Sequence, residues 1–152
     1  MVRVRPYEEL DSEFVLGLAH RLTIGMPSWR DREAIIATTR NWIKGSIERR
    51  GEKAEMFVAV GPAGERWGFA TISEQSHFTG ESQAYIGELA VLESAEGKGV
   101  GKALVASCEA WSRDHGLRVL ALATGAGNAH ALDFYHHLGF LDEDVKLVKI
   151  LR

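Results

Sequence analysis

The stretch that decides the fold is AYIGELAVLESAEGKGVGKALVASCE, Ala84 to Glu109. It begins as an apolar run typical of a central strand, passes through a polar turn into the glycine-spaced loop 97–101, and ends with helical spacing of apolar residues. Glycines let a backbone turn sharply and approach a ligand closely. Because free amides at a helix start and the positive end of its dipole favour anions, this order predicts a phosphate site. Lys98 and Lys102 add positive charge there.

Two common nucleotide-binding loops do not fit this stretch. A Walker-type loop ending at Gly101 and Lys102 would need a glycine at Glu96 and a hydroxyl at Ala103. A dinucleotide fingerprint that starts at Gly97 meets Lys102 where it needs Gly or Ala. For this loop taken alone, a glycine-rich turn without any ligand remains the alternative.

Two motifs together resemble the GCN5-related N-acetyltransferase (GNAT) family. The loop EGKGVG, residues 96–101, is similar to the family's pyrophosphate loop Q/R-x-x-G-x-G/A, with Glu96 in place of Gln or Arg. Residues 128–140, NAHALDFYHHLGF, match the family's second motif, N-x-x-A-x-x-F-Y-x-x-x-G-F, at each named position. The resemblance runs from about Glu55 to the C-terminus. It implies the acetyltransferase fold, acetyl-CoA as cofactor and transfer of an acetyl group to a primary amine.

The rest of the chain predicts a single α/β acetyltransferase domain over residues 1–152, with helices on both faces of a mixed sheet. The expected element order is βααβββαβαββ. Strands are expected at 2–5, 56–60, 67–73, 84–92 and 117–124, the last of these buried on both faces, and residues 145–151 alternate as the final strand. Helices are expected over 10–24, from about 28 to 50, from the glycine loop to 115, and over 128–138.

Composition limits which binding partners and which cellular compartment are expected. The net charge of −3 and pI of about 6.1 give no basic field for nucleic acid. No apolar run is long enough to span a membrane, and Arg3 and Arg5 interrupt any signal peptide. A single cysteine excludes an internal disulfide and fits a reducing compartment, so we expect a cytoplasmic protein. The histidines lack metal-site spacing, and no metal is expected.

The resemblance also implies which residues hold acetyl-CoA. Main-chain groups of Leu89 and Val91 would bind the pantetheine arm as an added strand, and the Val91 amide would polarise the thioester carbonyl. Asn128 would bind the pantetheine arm or cap its own helix. The expected cofactor-binding set is Leu89, Ala90, Val91, Gly97, Lys98, Gly99, Val100, Gly101, Lys102, Asn128, Ala131, Phe134 and Tyr135.

Two residues are the expected catalytic groups. Tyr135 matches the family tyrosine whose hydroxyl points at the coenzyme sulfur; its alternative is a core aromatic. Glu88 is the candidate general base, with a bound water or a structural pair with an arginine such as Arg66 as alternatives. Strand alternation places Glu88 on the face opposite Leu89 and Val91 unless a bulge intervenes.

Several expectations concern the surroundings. Glu96 is expected to point away from the pyrophosphate, because a carboxylate beside it is unfavourable. The tryptophans are expected to be packing anchors, although Trp29, with Met26 and Arg30, could line the acceptor pocket. The acceptor could be a small amine, an antibiotic amine or a protein amine. The rival function is a non-catalytic acyl-CoA-binding sensor or partner-binding module, and a homodimer is among the partners that the resemblance allows.

Overall fold

The computed structural model describes residues 1–152 and contains one five-stranded sheet in the order β1-β2-β3-β4-β5. The strands are Arg3–Pro6, Ala54–Val60, Arg66–Ser76, Ser82–Val91 and Leu120–Leu122 (β1 to β5), and the helices are Ser12–Gly17, Arg32–Arg49, Val100–Asp114 and Ala129–His137 (α1 to α4). Neighbouring strands are antiparallel except β4 and β5, which are parallel. The expected mixed α/β class is confirmed. None of the helices combines the length and the apolar character needed to cross a membrane.

Two hydrophobic cores lie on opposite faces of the sheet. On one face Ile43 of α2 packs with Val15 and with Met56 and Phe69 from the strands. The core on the other face belongs to α3, through Val100, Leu104, Cys108 and Trp111. This division follows from strand alternation, which sends successive side chains to opposite faces.

β4 contains a bulge, which the sequence analysis allowed for as an alternative to regular alternation. It lies at Gly87–Glu88, where β4 has one residue more than the facing stretch of β3. Ile86, before the bulge, packs in the α3 core, whereas Ala90, after it, packs in the core under α1 and α2. A one-residue insertion sends each later side chain of a strand to the opposite face. The bulge therefore exchanges the faces on which the side chains of the second half of β4 lie.

The expected helix over 10–24 is wrong as a continuous element. It divides into a 3-10 turn at Glu9–Asp11, α1, and a second 3-10 helix at Ala19–Thr23. Gly17, which has poor helix propensity, ends α1, and the Arg21 amide then bonds to the carbonyl of Leu18 in the tighter pattern. Leu10 is consequently 84% exposed instead of joining the core.

The end of the chain also differs from expectation. β5 has three residues, and its leucines are half-buried instead of covered on both faces. No strand follows α4, so the two final strands of the expected order are absent. Residues 145–151 alternate as predicted but pair with no strand of this chain, and an extended segment without a partner gains no ladder hydrogen bonds.

Candidate functional site

A cleft opens where β4 and β5 part. The two strands pair only from Ala84 with Leu120 to Ile86 with Leu122. Beyond Ile86, β4 continues to Val91 with no strand on that side. The cavity there has a volume of about 920 Å³. It lies beside the second half of β4 and beyond the carboxyl end of β5, close to the position at which open α/β sheets bind ligands.

The cleft brings together almost all of the residues expected to bind the cofactor. The expected residues that line it are Leu89, Ala90, Val91, Gly97, Gly99, Val100, Gly101, Lys102, Asn128, Ala131, Phe134 and Tyr135. Lys98 is the exception: its ammonium lies 5.4 Å from the centre of the Trp67 ring and does not line the cleft. The cation–π contact accounts for this orientation, and a role of Lys98 in binding the pyrophosphate stays a prediction.

The start of α3 is built to receive an anion. Its N-cap, Gly99, supplies no side-chain cap, whereas Asp31 caps α2 and Asn128 caps α4. The amides of residues 99–102 donate to no protein group. Gly97 and Gly99 have φ angles of +78° and +79°, and a Cβ on either would meet nothing within 4 Å. Four free amides on an open glycine loop fit the diphosphate of acetyl-CoA.

Glu96 does not point away from the cleft, contrary to expectation. It lines the cavity, and its carboxylate forms an ion pair with Arg21 from the second 3-10 helix. The Arg21 Nε also donates to the Val91 carbonyl at 3.1 Å. Arg21 therefore links the glycine loop to the end of β4, and its positive charge offsets the negative charge of Glu96. Sequence reasoning missed it because no local pattern connects two residues so far apart in the chain.

Tyr135 lies in the wall of the cleft on α4. Its ring makes edge contacts with Phe134 and Phe140, with centres 5.1 and 5.4 Å away. Burial, with a smaller effect of nearby Cys108, raises the pKa of the Tyr135 phenol to about 12. Its hydroxyl therefore stays protonated at neutral pH, and it has no hydrogen bond to another protein group.

Glu88 is a buried carboxylate without a cationic partner. It is 8% exposed, and its two oxygens accept from Ser46 Oγ at 2.8 Å and Thr71 Oγ1 at 3.0 Å. The alternative pairing with Arg66 is wrong, because Arg66 binds Asp11. Arg49 reaches Ser46 Oγ at 3.3 Å but forms no ion pair with Glu88. The side chain faces α2, away from those of Leu89 and Val91, yet it still lines the cleft because of the bulge.

A second cavity of about 410 Å³ adjoins the cleft at Glu88. Trp42, Tyr85, Gly87 and Glu88 line both spaces. Trp42 is 62% exposed, so the expectation that it anchors packing is wrong. Burial, followed by the negative charge of Glu88, raises the pKa of Tyr85.

The chemical character of the second cavity is acidic. Glu55 and Glu74 line it as well as Glu88, against the single cation Arg49. The sequence did not single out Glu55, Glu74 or Tyr85, because each belongs to an ordinary strand pattern. The residues expected in an acceptor pocket, Met26, Trp29 and Arg30, line neither cavity.

Asn128 lines the cleft at the start of α4. Its side-chain oxygen accepts from the Ala131 amide at 3.1 Å, so it acts as the N-cap of α4. The turn before it packs on Gly25, where a Cβ would come within 2.5 Å of Asn128. Glycine at this position, with a φ of +82°, lets the two loops meet. The role of Asn128 in binding pantetheine stays a prediction.

Comparison with known proteins identifies the family to which the chain belongs. The profile of the Acetyltransferase (GNAT) family matches residues 15–140. Aminoglycoside N(6')-acetyltransferase type 1 of Klebsiella aerogenes is 31% identical over 150 residues, covering 91% of this chain and 89% of the relative. The L-methionine sulfoximine/L-methionine sulfone acetyltransferase of Pseudomonas paraeruginosa is 27% identical over 112 residues, covering 74% of this chain and 63% of the relative.

Among solved structures, AAC(6')-Iy in complex with the bisubstrate analog CoA-S-monomethyl-acetylneamine superposes with a TM-score of 0.70 at 22% identity, covering 100% of this chain and 99% of that one. The likeness extends over the whole fold, including the sheet that forms the cleft. The chain therefore belongs to the GNAT acetyltransferase family, and it is an N-acetyltransferase that uses acetyl-CoA.

Proposed function

We propose that this protein moves an acetyl group from acetyl-CoA to a primary amine by direct attack in a ternary complex, and that residues 1–152 form one acetyltransferase domain. The observation that supports the proposal most strongly is the position of Glu88, where the cleft meets an acidic cavity. Two separate spaces joined at a carboxylate suit two substrates bound at once. The bisubstrate analog held by AAC(6')-Iy agrees with this arrangement.

In this proposal the cleft binds the cofactor largely through main-chain groups. The amides at the start of α3 would bind the diphosphate, with Lys102 beside them, and the free edge of β4 at Leu89 and Val91 would bind the pantetheine arm. Acetyl-CoA supplies an acetyl group already activated as a thioester. The Val91 amide would polarise its carbonyl, and the Tyr135 hydroxyl would donate a hydrogen bond to the sulfur.

The second cavity would receive the amine. Its carboxylates, Glu55 and Glu74, attract a cation, and the exposed ring of Trp42 can stack against an ammonium group. Glu88 would accept the proton of the attacking amine, directly or through water. An excess of carboxylates suits an acceptor with several amino groups better than one with a single charge. Aminoglycosides, which the Klebsiella relative acetylates by its name, are of that kind.

The test is an assay of released thiol across a matched amine panel. It should compare aminoglycosides and linear polyamines with single-charge amines and with a peptide α-amine, at fixed acetyl-CoA. We expect the highest kcat/KM for the acceptors with several amino groups, falling as salt is raised. Equal rates for single-charge amines would contradict the acidic acceptor site. Coenzyme binding without turnover on any amine would favour the sensor.

Glu88→Gln should separate a base from a structural carboxylate. Glutamine keeps a partner for Ser46 and Thr71 but cannot accept a proton, so we expect kcat/KM to fall about tenfold near neutral pH. The matched control is Glu74→Gln, which removes a charge from the second cavity alone and should raise only the KM of the amine. A kcat/KM in Glu88→Gln equal to that of the wild type would return this residue to a structural role.

Arg21→Gln should weaken acetyl-CoA binding by leaving Glu96 unpaired beside the diphosphate. Since the pair is partly solvated, we expect the KM for acetyl-CoA to rise roughly three- to tenfold with kcat nearly unchanged. Glu96→Gln alone should not weaken binding, and it should restore the KM when combined with Arg21→Gln. This double-mutant cycle tests charge balance directly. A double variant as weak as Arg21→Gln would show that Arg21 acts through Val91 instead.

The proposal also includes the cellular compartment and the oligomeric state. Cys108 is a free thiol in the α3 core, which suits a reducing, cytoplasmic setting. We also propose that the protein is a homodimer.

A further inference from the structure

Thr71 is a buried hydroxyl at the point where the ladder between β3 and β4 is interrupted. Ala70 pairs with Leu89, and Ile72 pairs with Ile86. Thr71, between them, therefore faces the two bulged residues of β4. The side chain is 4% exposed, and its neighbours along β3 are buried apolar residues. Because valine would have nearly the same shape, a hydroxyl at this position calls for a polar partner.

The single oxygen of Thr71 binds two different groups of Glu88. It accepts a hydrogen bond from the Glu88 amide at 2.9 Å, and it donates one to Glu88 Oε2 at 3.0 Å. A bulge disrupts the ladder locally, so a buried amide there needs an acceptor from outside the ladder. One hydroxyl therefore completes the hydrogen bonding of the bulge and fixes the direction of the carboxylate.

Gly87 leaves the space that this hydroxyl occupies. A Cβ at Gly87 would lie 3.1 Å from Thr71 Oγ1 and, apart from its chain neighbours, would meet no other atom within 4 Å. That distance is shorter than an ordinary van der Waals contact. Gly87 does not have a positive φ, so the bulge uses its lack of a side chain and not its backbone freedom. The glycine and the threonine are therefore fitted to each other across the two strands.

Ser46 makes only one of the contacts that Thr71 makes. From α2 its Oγ donates to Glu88 Oε1 at 2.8 Å, and it does not bind the main chain of β4. A carboxylate has about four lone-pair positions, so after these two hydroxyl bonds Glu88 can still accept the proton of an amine. The two hydroxyls thus differ in one respect, because only Thr71 also holds the strand.

We propose that Thr71 is a positioning residue for both substrates. Through the Glu88 amide it holds the bulge, and the bulge decides which main-chain groups of Leu89 and Val91 face the free edge of β4. The pantetheine arm would bind at that edge. Through Oε2, Thr71 aims the Glu88 carboxylate at the second cavity, which Thr71 also lines. This role rests on the proposed function of the cleft and of Glu88.

The first test compares three variants by calorimetric titration with CoA and by steady-state rates. Thr71→Val keeps the shape and loses both contacts, so we expect about a five- to tenfold loss of CoA affinity and a kcat about tenfold lower. Ser46→Ala loses only a carboxylate contact and should lower kcat while leaving CoA affinity unchanged. Thr71→Ser keeps the hydroxyl and should restore both properties. Wild-type CoA affinity in Thr71→Val, or no rescue by serine, would overturn the proposal.

The second test does not depend on the chemistry of Glu88. Amide hydrogen exchange, followed by NMR without substrates, should show a protected Glu88 amide in the wild type and in Thr71→Ser, and loss of that protection in Thr71→Val. Gly87→Ala brings a methyl group against the same oxygen, so it should weaken both the protection and the CoA affinity while the hydroxyl is retained. A Glu88 amide that stays protected in both Thr71→Val and Gly87→Ala would refute the role of Thr71. If instead Glu88→Gln has wild-type kcat/KM, only the assignment of the base fails, and the CoA affinity of Thr71→Val still tests the bulge.

Discussion

Replacing Gly99 with aspartate is expected to weaken acetyl-CoA binding by about a hundredfold or more. The Cβ of the new residue would project into the open space at the mouth of α3, where four amides have no protein acceptor. Its carboxylate would oppose the diphosphate at close range. At about 4 Å and an effective dielectric constant of about 20, such a repulsion amounts to about 4 kcal/mol. This is more than the binding free energy that corresponds to a hundredfold loss of affinity.

Gly64 provides a matched control for this variant. It has a φ of +82° and nothing within 4 Å of its Cβ, as at Gly99, but it lies in the turn between β2 and β3 and lines neither cavity. Gly64→Asp should bear the same backbone strain and leave affinity intact. Gly99→Asn adds the bulk of the side chain without its charge, so its affinity for CoA should lie between those of the wild type and Gly99→Asp. Calorimetric titration with CoA measures all of them, and unchanged affinity in Gly99→Asp would place the diphosphate elsewhere.

The part of the site that the sequence predicted is the part built from local backbone. The loop 97–101 joins a strand to a helix, and its glycine spacing alone sets free amides at the helix start. The same holds for α4, whose motif places Asn128 at the N-cap and Phe134 and Tyr135 side by side in the second turn of the helix. Such devices depend on neighbours in sequence, so they can be read from sequence.

What the sequence did not predict depends on contacts between distant segments. Arg21 compensates Glu96 from another element, and nothing near either residue signals the other. The bulge in β4 did leave a trace, since Gly87 interrupts an apolar strand next to a charged residue, a common mark of irregular pairing. The expected strand at 145–151 shows a third limit. Alternation predicts that a segment can be a strand, but whether a strand lies beside it to pair with depends on distant parts of the chain.

Tyr135→Phe is expected to reduce kcat ten- to hundredfold while leaving the affinity for CoA unchanged. Phenylalanine keeps the edge contacts with Phe134 and Phe140 and removes only the hydroxyl, which no other protein group binds. Without it, in the proposed mechanism, the leaving thiolate would lose its hydrogen-bond donor in a partly buried site. Because the Tyr135 pKa is about 12, the hydroxyl stays protonated at all working pH values, and the loss should be constant between about pH 6 and pH 9.

Tyr7→Phe is the matched control, because the Tyr7 hydroxyl is buried without a partner in the core under α1 and α2, away from the cleft. It should leave kcat unchanged. Steady-state rates and calorimetry on the two variants settle the assignment: a Tyr135→Phe enzyme with wild-type kcat would make this residue a packing aromatic. In that case the β4 edge and the α3 amides alone would have to account for catalysis, through main-chain polarisation of the thioester.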